Sequence, residues 1–293
     1  MGAPSTITTA RIERLGWGLA HASLFATVTV LLWMMCAWLI AAIPALNGRF
    51  TLSALSLLPA VLASTALLLR FPTPRPFAVI GVEASGKGFQ QLGFGVALGG
   101  GLALAIVGTQ WVAGWVIVEA GGGPSSAQPA WEPSFLAGFI GIAIGSAGEE
   151  LLFRGYGFQQ LIRATNPWIT VVGTSVLFGV VHDSNPDFSR IALLNTVLFG
   201  MIFGLALVRH RTLWLPYGMH FGWNIVLAAI GANLSGLRIK LTGCIVVPVG
   251  PSYWTGDAYG PEASLLTTLA VCAAALILWK APAGRNPGPL LWD

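Results

Sequence analysis

Between Arg14 and Arg49 the chain holds no Asp, Glu, Lys or Arg, and that stretch constrains the polypeptide more than any other. The hydrocarbon core of a bilayer takes about 20 mostly apolar residues of helix. The apolar run over residues 15–43 exceeds that, and it is too long for the core of a secretion signal, so it reads as a retained first span. Further apolar runs cover residues 51–69, 89–118, 135–148 with a helical extension, 168–181, 191–208, 213–232 and 264–279. They predict an all-α fold, a polytopic transmembrane helical bundle of about eight spans. Of the 293 residues 55% are hydrophobic and 9% are charged, against about 25% charged in a soluble domain. A single soluble core could not hide so much apolar surface. The 37 glycines suit closely packed helices, and the alternation expected of a membrane barrel is missing.

The runs group as one integral membrane domain over 1–293, with amino-terminal helices at 15–118, core helices at 135–232 and a last span at 264–280. The basic residues orient it. With the amino terminus inside and strict alternation, Arg49, Arg190, Arg238 and Lys240 fall outside, and the other 11 of the 15 Lys and Arg fall inside. That is the sense of the positive-inside rule, so both termini are expected in the cytoplasm of a multi-pass protein of the plasma membrane. The net charge of +4 is carried by scattered residues, which argues against a nucleic-acid partner. The connector at 121–126 reads as a flexible turn. The stretch 233–261 reads as an external loop whose Tyr253 and Trp254 suit the lipid interface. Cys36, Cys244 and Cys272 have no metal spacing and read as small buried hydrophobes.

Charge is costly within a bilayer, about 2.5–3.5 kcal/mol per group at mid-depth. The second half of the chain nevertheless places Glu149, Glu150, Arg154, His182, His220 and Asn224 in or beside apolar runs. On a helix Glu150 and Arg154 are one turn apart, with the acid first, the favourable order for an ion pair. Glu149 is rotated about 100° from Glu150, leaving one carboxylate free to act on water. Read from these residues alone, both acids could equally end a helix and face the cytoplasm. Asn166-Pro167 suggests a turn with Glu149 and His182 nearly equidistant from it, each about 25 Å along its helix. A hairpin would then bring the two together. His220 lies shallower by the same count, so the hairpin either projects past the cytoplasmic surface or residues 183–189 re-enter the membrane. His220 and Asn224 share a face, one turn apart, where helix-to-helix hydrogen bonding is the simpler alternative.

Glu149-Glu150-x-x-x-Arg154, Phe178-x-x-x-His182 and His220-x-x-x-Asn224 occur in order on successive apolar segments. Together with Phe199-Gly200 and the run from Leu213-Trp214-Leu215-Pro216 to His220, this set resembles the CPBP family. That family comprises the type II CAAX prenyl proteases and bacteriocin-processing or self-immunity proteins. The similarity covers roughly residues 135–230. It implies an intramembrane endopeptidase of glutamic type that hydrolyses a peptide bond of a membrane-embedded or lipid-anchored peptide or protein. By the resemblance Glu149 and His182 would activate water, and His220 and Asn224 would hold the oxyanion. Glu150 and Arg154 would support the site, with Phe178 in the His182 motif. No cofactor is expected on that reading. The alternatives are a zinc site built from Glu149, His182 and His220, a proton- or ion-coupled transporter, and a scaffold without catalysis.

Overall fold

The computed structural model describes residues 4–43, 49–120, 134–239, 241–280 and 288–293. The connector at 121–126, Lys240 and Arg285 lie outside the described residues. Helices α1 (Pro4–Ala41) and α2 (Arg49–Leu68) pack against each other, and α3 (Gly86–Val112) follows a 3₁₀ turn at Phe77–Ile80. Strand β1 (Val116–Ala120) leads towards α4 (Phe135–Arg154), α5 (Tyr156–Ala164), α6 (Pro167–Val180), α7 (Arg190–His210) and α8 (Trp214–Ile230). Strand β2 (Cys244–Pro248), the short α9 (Ser252–Thr255) and α10 (Leu265–Lys280) complete the order.

The third apolar run is shorter as a helix than its hydropathy suggests. It stops at Val112, and Gly114 adopts a left-handed φ of 70°. The β-branched residues beyond it form β1, antiparallel to β2, with Val116 opposite Pro248 and Ala120 opposite Cys244. The expected all-α fold therefore carries one β ribbon. Residues 233–261 are not a plain external loop: they hold β2, α9 and a 3₁₀ turn, and Trp254 stacks on Trp115 at 5.4 Å between ring centroids.

Among the described residues four helical stretches are long and apolar enough to cross a bilayer, at 12–41, 86–112, 135–164 and 190–210. Shorter apolar helices lie at Leu52–Leu68, Pro167–Val180 and Leu265–Lys280. The chain is thus a multi-helix membrane bundle, and the helices among the described residues do not by length alone establish the eight spans expected. Helix α8 explains part of the difference. It has 17 residues and is wrapped by protein, with Leu215 and Leu227 fully buried, so it needs neither full length nor lipid contact.

Among the described residues the most extensive helix contact is α3 against α8, and glycine makes it possible. A Cβ on Gly99 would lie 2.0 Å from the Met219 carbonyl oxygen, and one on Gly222 would lie 2.4 Å from that of Val96. Two backbones in direct contact replace interdigitated side chains, which is how helices associate where lipid is as apolar as leucine. This contact fixes α8, and with it His220 and Asn224.

Helix α4 breaks at Gly155, where a Cβ would meet the Leu151 carbonyl oxygen at 2.2 Å. The chain continues as α5 rather than as a straight extension. Asn166 caps α6 through its side chain, which accepts from the Ile169 N–H at 3.0 Å. The helix start expected at Asn166-Pro167 is there, but the Glu149–His182 hairpin is not. Helix α6 packs chiefly on α7, while α4 packs on α2 and α8.

Candidate active site

Helix α4 presents the two acids on different faces. Glu150 is fully buried and accepts from Arg154, itself 1% exposed, at 3.0 Å. Arg154 also donates to the Gly200 carbonyl at 3.2 Å, and its guanidinium carbon lies 4.5 Å from the centroid of the Phe178 ring. The carboxylate, the carbonyl and the aromatic face compensate this buried cation in part, since Arg154 Nε and Glu150 Oε2 have no hydrogen-bond partner among the described residues. Arg154 is therefore an interior residue, not one of the cytoplasmic loop charges.

Glu149 turns the other way, into a cavity of about 410 Å³ that Phe178, His182, His220, Asn224 and Glu262 also line. Its Oε2 lies 3.8 Å from His182 Nε2 and 3.8 Å from His220 Nε2. His182 reaches this point from the turn that follows α6, not from within a long helix.

The other nitrogen of each ring fixes its tautomer. His182 Nδ1 is 2.6 Å from the Phe178 carbonyl, which can only accept, so Nδ1 carries the proton. His220 Nδ1 is 2.9 Å from Glu150 Oε1, a carboxylate already paired with Arg154, so it donates as well. In the neutral rings both Nε2 atoms are then lone-pair acceptors facing a third acceptor, Glu149 Oε2. Three acceptors cannot satisfy one another. One water can donate to two of them, Glu149 Oε2 and His182 Nε2, since an oxygen about 2.8 Å from two atoms 3.8 Å apart makes ordinary hydrogen bonds, and the remaining contact needs a proton on His220 Nε2.

Zinc fits this set less well. Ligands about 2.0–2.1 Å from a tetrahedral zinc stand roughly 3.3 Å from one another, closer than the 3.8 Å found for both pairs. Among the described residues no group of three or more His, Cys, Asp and Glu is arranged to hold a metal ion.

Asn224 lies one turn beyond His220 on α8 and donates one amide hydrogen to Ser146 Oγ at 3.2 Å. Its second N–H is left for the cavity. Phe178 meets both rings, with centroids 4.7 Å from His182 and 6.1 Å from His220. Of the seven residues singled out from the sequence, Glu149, Phe178, His182, His220 and Asn224 line one cavity, and Glu150 and Arg154 stand behind it in contact with His220 and Phe178.

Sequence reasoning missed two participants. Ser146, 2% exposed, holds Asn224 from the same helix that carries Glu149. Glu262, 8% exposed, accepts from the Trp223 indole at 3.0 Å and from the Ser235 hydroxyl at 2.7 Å. It ties the 233–263 segment to α8 and closes one side of the cavity. An acid directly before the last apolar run was its only signal in the sequence. A serine among apolar neighbours gave none.

Residues 131–226, about a third of the chain, match a family model described as type II CAAX prenyl endopeptidase Rce1-like. The matched stretch contains Glu149, Glu150, Arg154, Phe178, His182, His220 and Asn224. It agrees with the resemblance drawn from the ordered motifs and supports a CAAX-type membrane endopeptidase as the general class. No curated protein matches the chain.

Proposed function

We propose that the chain is a glutamate-dependent intramembrane endopeptidase. It cleaves a membrane-embedded or lipid-anchored peptide with water held between Glu149 and His182, and with His220 and Asn224 as oxyanion donors. The observation that carries the reading is Glu149 Oε2 standing 3.8 Å from the Nε2 atoms of both His182 and His220, the other nitrogen of each ring being engaged from behind. A water that donates to Glu149 and His182 turns its lone pairs towards a neighbouring carbonyl.

The reaction follows from these positions. Glu149 takes a proton from the water as oxygen attacks the scissile carbonyl carbon, and the carbonyl oxygen becomes an oxyanion. His220 is an imidazolium throughout, its Nδ1–H held by Glu150 Oε1 at 2.9 Å, and its Nε2–H donates to the oxyanion without being transferred. The free amide hydrogen of Asn224 is the second donor. Each such donor contributes about 2.7–4 kcal/mol when it is held in place beforehand. When the C–N bond breaks, the proton on Glu149 passes to the leaving amine. His182 holds the water and keeps Glu149 in register.

The test is cleavage of membrane-tethered peptides by purified protein and by Glu149→Gln. The amide has the shape of the acid but cannot take the proton. Turnover is expected to vanish while the thermal midpoint stays near that of the parent. Parent-like turnover in the variant would remove Glu149 as the base.

A further inference from the structure

A second cavity, of about 320 Å³, lies away from the active site, where α1 begins and α2 and α5 end. Trp17, Leu69 and Phe71 contribute to an apolar side. The polar side has a hydrogen-bonded floor, His21 Nδ1 being 2.7 Å from the Tyr156 hydroxyl. Three arginines from three separate elements also line the cavity: Arg14 on α1, Arg75 after α2 and Arg163 on α5. No carboxylate among the described residues lines it. Among the described residues none of the three arginines forms a salt bridge, whereas nearby Arg211 is paired with Asp293. Arg163 has a hydrogen bond only to the neutral Gln160, at 3.5 Å.

Three cations drawn to one concavity repel one another unless an anion joins them. The guanidinium fork suits phosphate oxygens better than any other common anion except a carboxylate, and several forks favour the more highly charged of the two. The adjoining apolar wall asks for carbon attached to that phosphate. These arginines also lie at the end that the distribution of basic residues assigns to the cytoplasmic leaflet, where anionic lipids concentrate and basic pockets between helices hold their headgroups.

We propose that this cavity binds a phosphate ester, with Arg14, Arg75 and Arg163 holding the phosphate and Trp17, Leu69 and Phe71 flanking its carbon skeleton. The ester is supplied either by the headgroup of an anionic phospholipid or by a small soluble molecule.

The full chain in phosphatidylcholine nanodiscs is titrated in one arm with phosphatidylglycerol and in the other with glycerol 3-phosphate, and the thermal midpoint is read. A saturable rise in the midpoint is expected in at least one arm. A rise with the lipid alone identifies the headgroup as the source, and a rise with the soluble ester identifies free phosphate esters. The double variant Arg75→Gln/Arg163→Gln should weaken the apparent affinity at least tenfold. Lys280→Gln, which removes an exposed cation outside the cavity, should leave it unchanged. Arg14→Gln and Arg75→Gln singly, both at exposed positions, serve if the double variant does not fold. No saturable rise in either arm, or the same affinity in the cavity variants, overturns the assignment.

Discussion

Glu150 Oε1 accepts from His220 Nδ1 at 2.9 Å and from Arg154 at 3.0 Å, so one oxygen joins the ion pair of α4 to the imidazole of α8. Pairing with Arg154 gives Glu150 a structural contact, and in the proposed mechanism the contact with His220 makes it a positioning residue as well. Glu150→Ala would leave Arg154 charged in a buried place, a loss of about 3–5 kcal/mol. It would also free the His220 ring. The double variant Glu150→Ala/Arg154→Ala should recover part of the thermal midpoint but none of the turnover, because His220 still lacks its acceptor. Recovery of both together would reduce Glu150 to an ion-pair role.

The three motifs were legible because polar groups are conspicuous in apolar helices. Glu150 and Arg154 could be paired from spacing alone, since one helical turn separates them. The path that brings Glu149 to His182 could not be read. It depends on the break at Gly155, where the chain turns into α5, and on α6 packing against α7. A hydropathy count cannot see either, because the first is a backbone close approach and the second a choice of partner. Hydropathy likewise joined β1 to the third apolar run, since Val116-Ile117-Val118 is as apolar as the helix before it. The link from Glu150 to His220 crosses 70 positions and has no local trace.

Close approach of α3 and α8 gives a prediction about positioning. Gly222→Ala would place a Cβ 2.4 Å from the Val96 carbonyl oxygen and 2.8 Å from its Cα, both backbone atoms that have no rotamer to yield. Overpacking of this kind costs about 1–3 kcal/mol, and α8 must move outward. Since Gly222 lies between His220 and Asn224, turnover should fall more steeply than the thermal midpoint. Gly101→Ala on α3, where a Cβ meets nothing within 4 Å, should leave both unchanged.

Asn224 and Ser146 separate donation from support. On the proposed mechanism Asn224→Ala removes an oxyanion donor, and it should lower kcat by about 10²–10³ with KM nearly constant. Ser146→Ala leaves the amide in place but releases the hydrogen bond that orients it. A smaller fall, between about 10- and 100-fold in kcat, is expected from that misplacement. Ser146→Thr, which keeps the hydroxyl, should restore more of the rate than Ser146→Ala allows. Equal losses for Ser146→Ala and Asn224→Ala would move Ser146 from support into the chemistry.

The last prediction sets the water reading against zinc. Glu149, His182 and His220 supply one oxygen and two nitrogens, the donor set of many catalytic zinc sites, and each ring is backed by an acceptor as zinc-bound histidines are. Ligand type alone therefore does not decide the matter. Spacing favours water: Glu149 Oε2 stands 3.8 Å from both nitrogens, which leaves zinc legs of about 2.0–2.1 Å only by opening the angle between ligands well past tetrahedral. Asn224 adds to this, because an amide is a poor zinc ligand and a good oxyanion donor. Purified protein should thus hold much less than one equivalent of zinc, and peptide cleavage should persist in the presence of a strong chelator. Glu149→Gln should be inactive with or without added zinc. Stoichiometric zinc, with cleavage lost on chelation and regained when the metal is returned, would replace the metal-free mechanism with a metalloprotease.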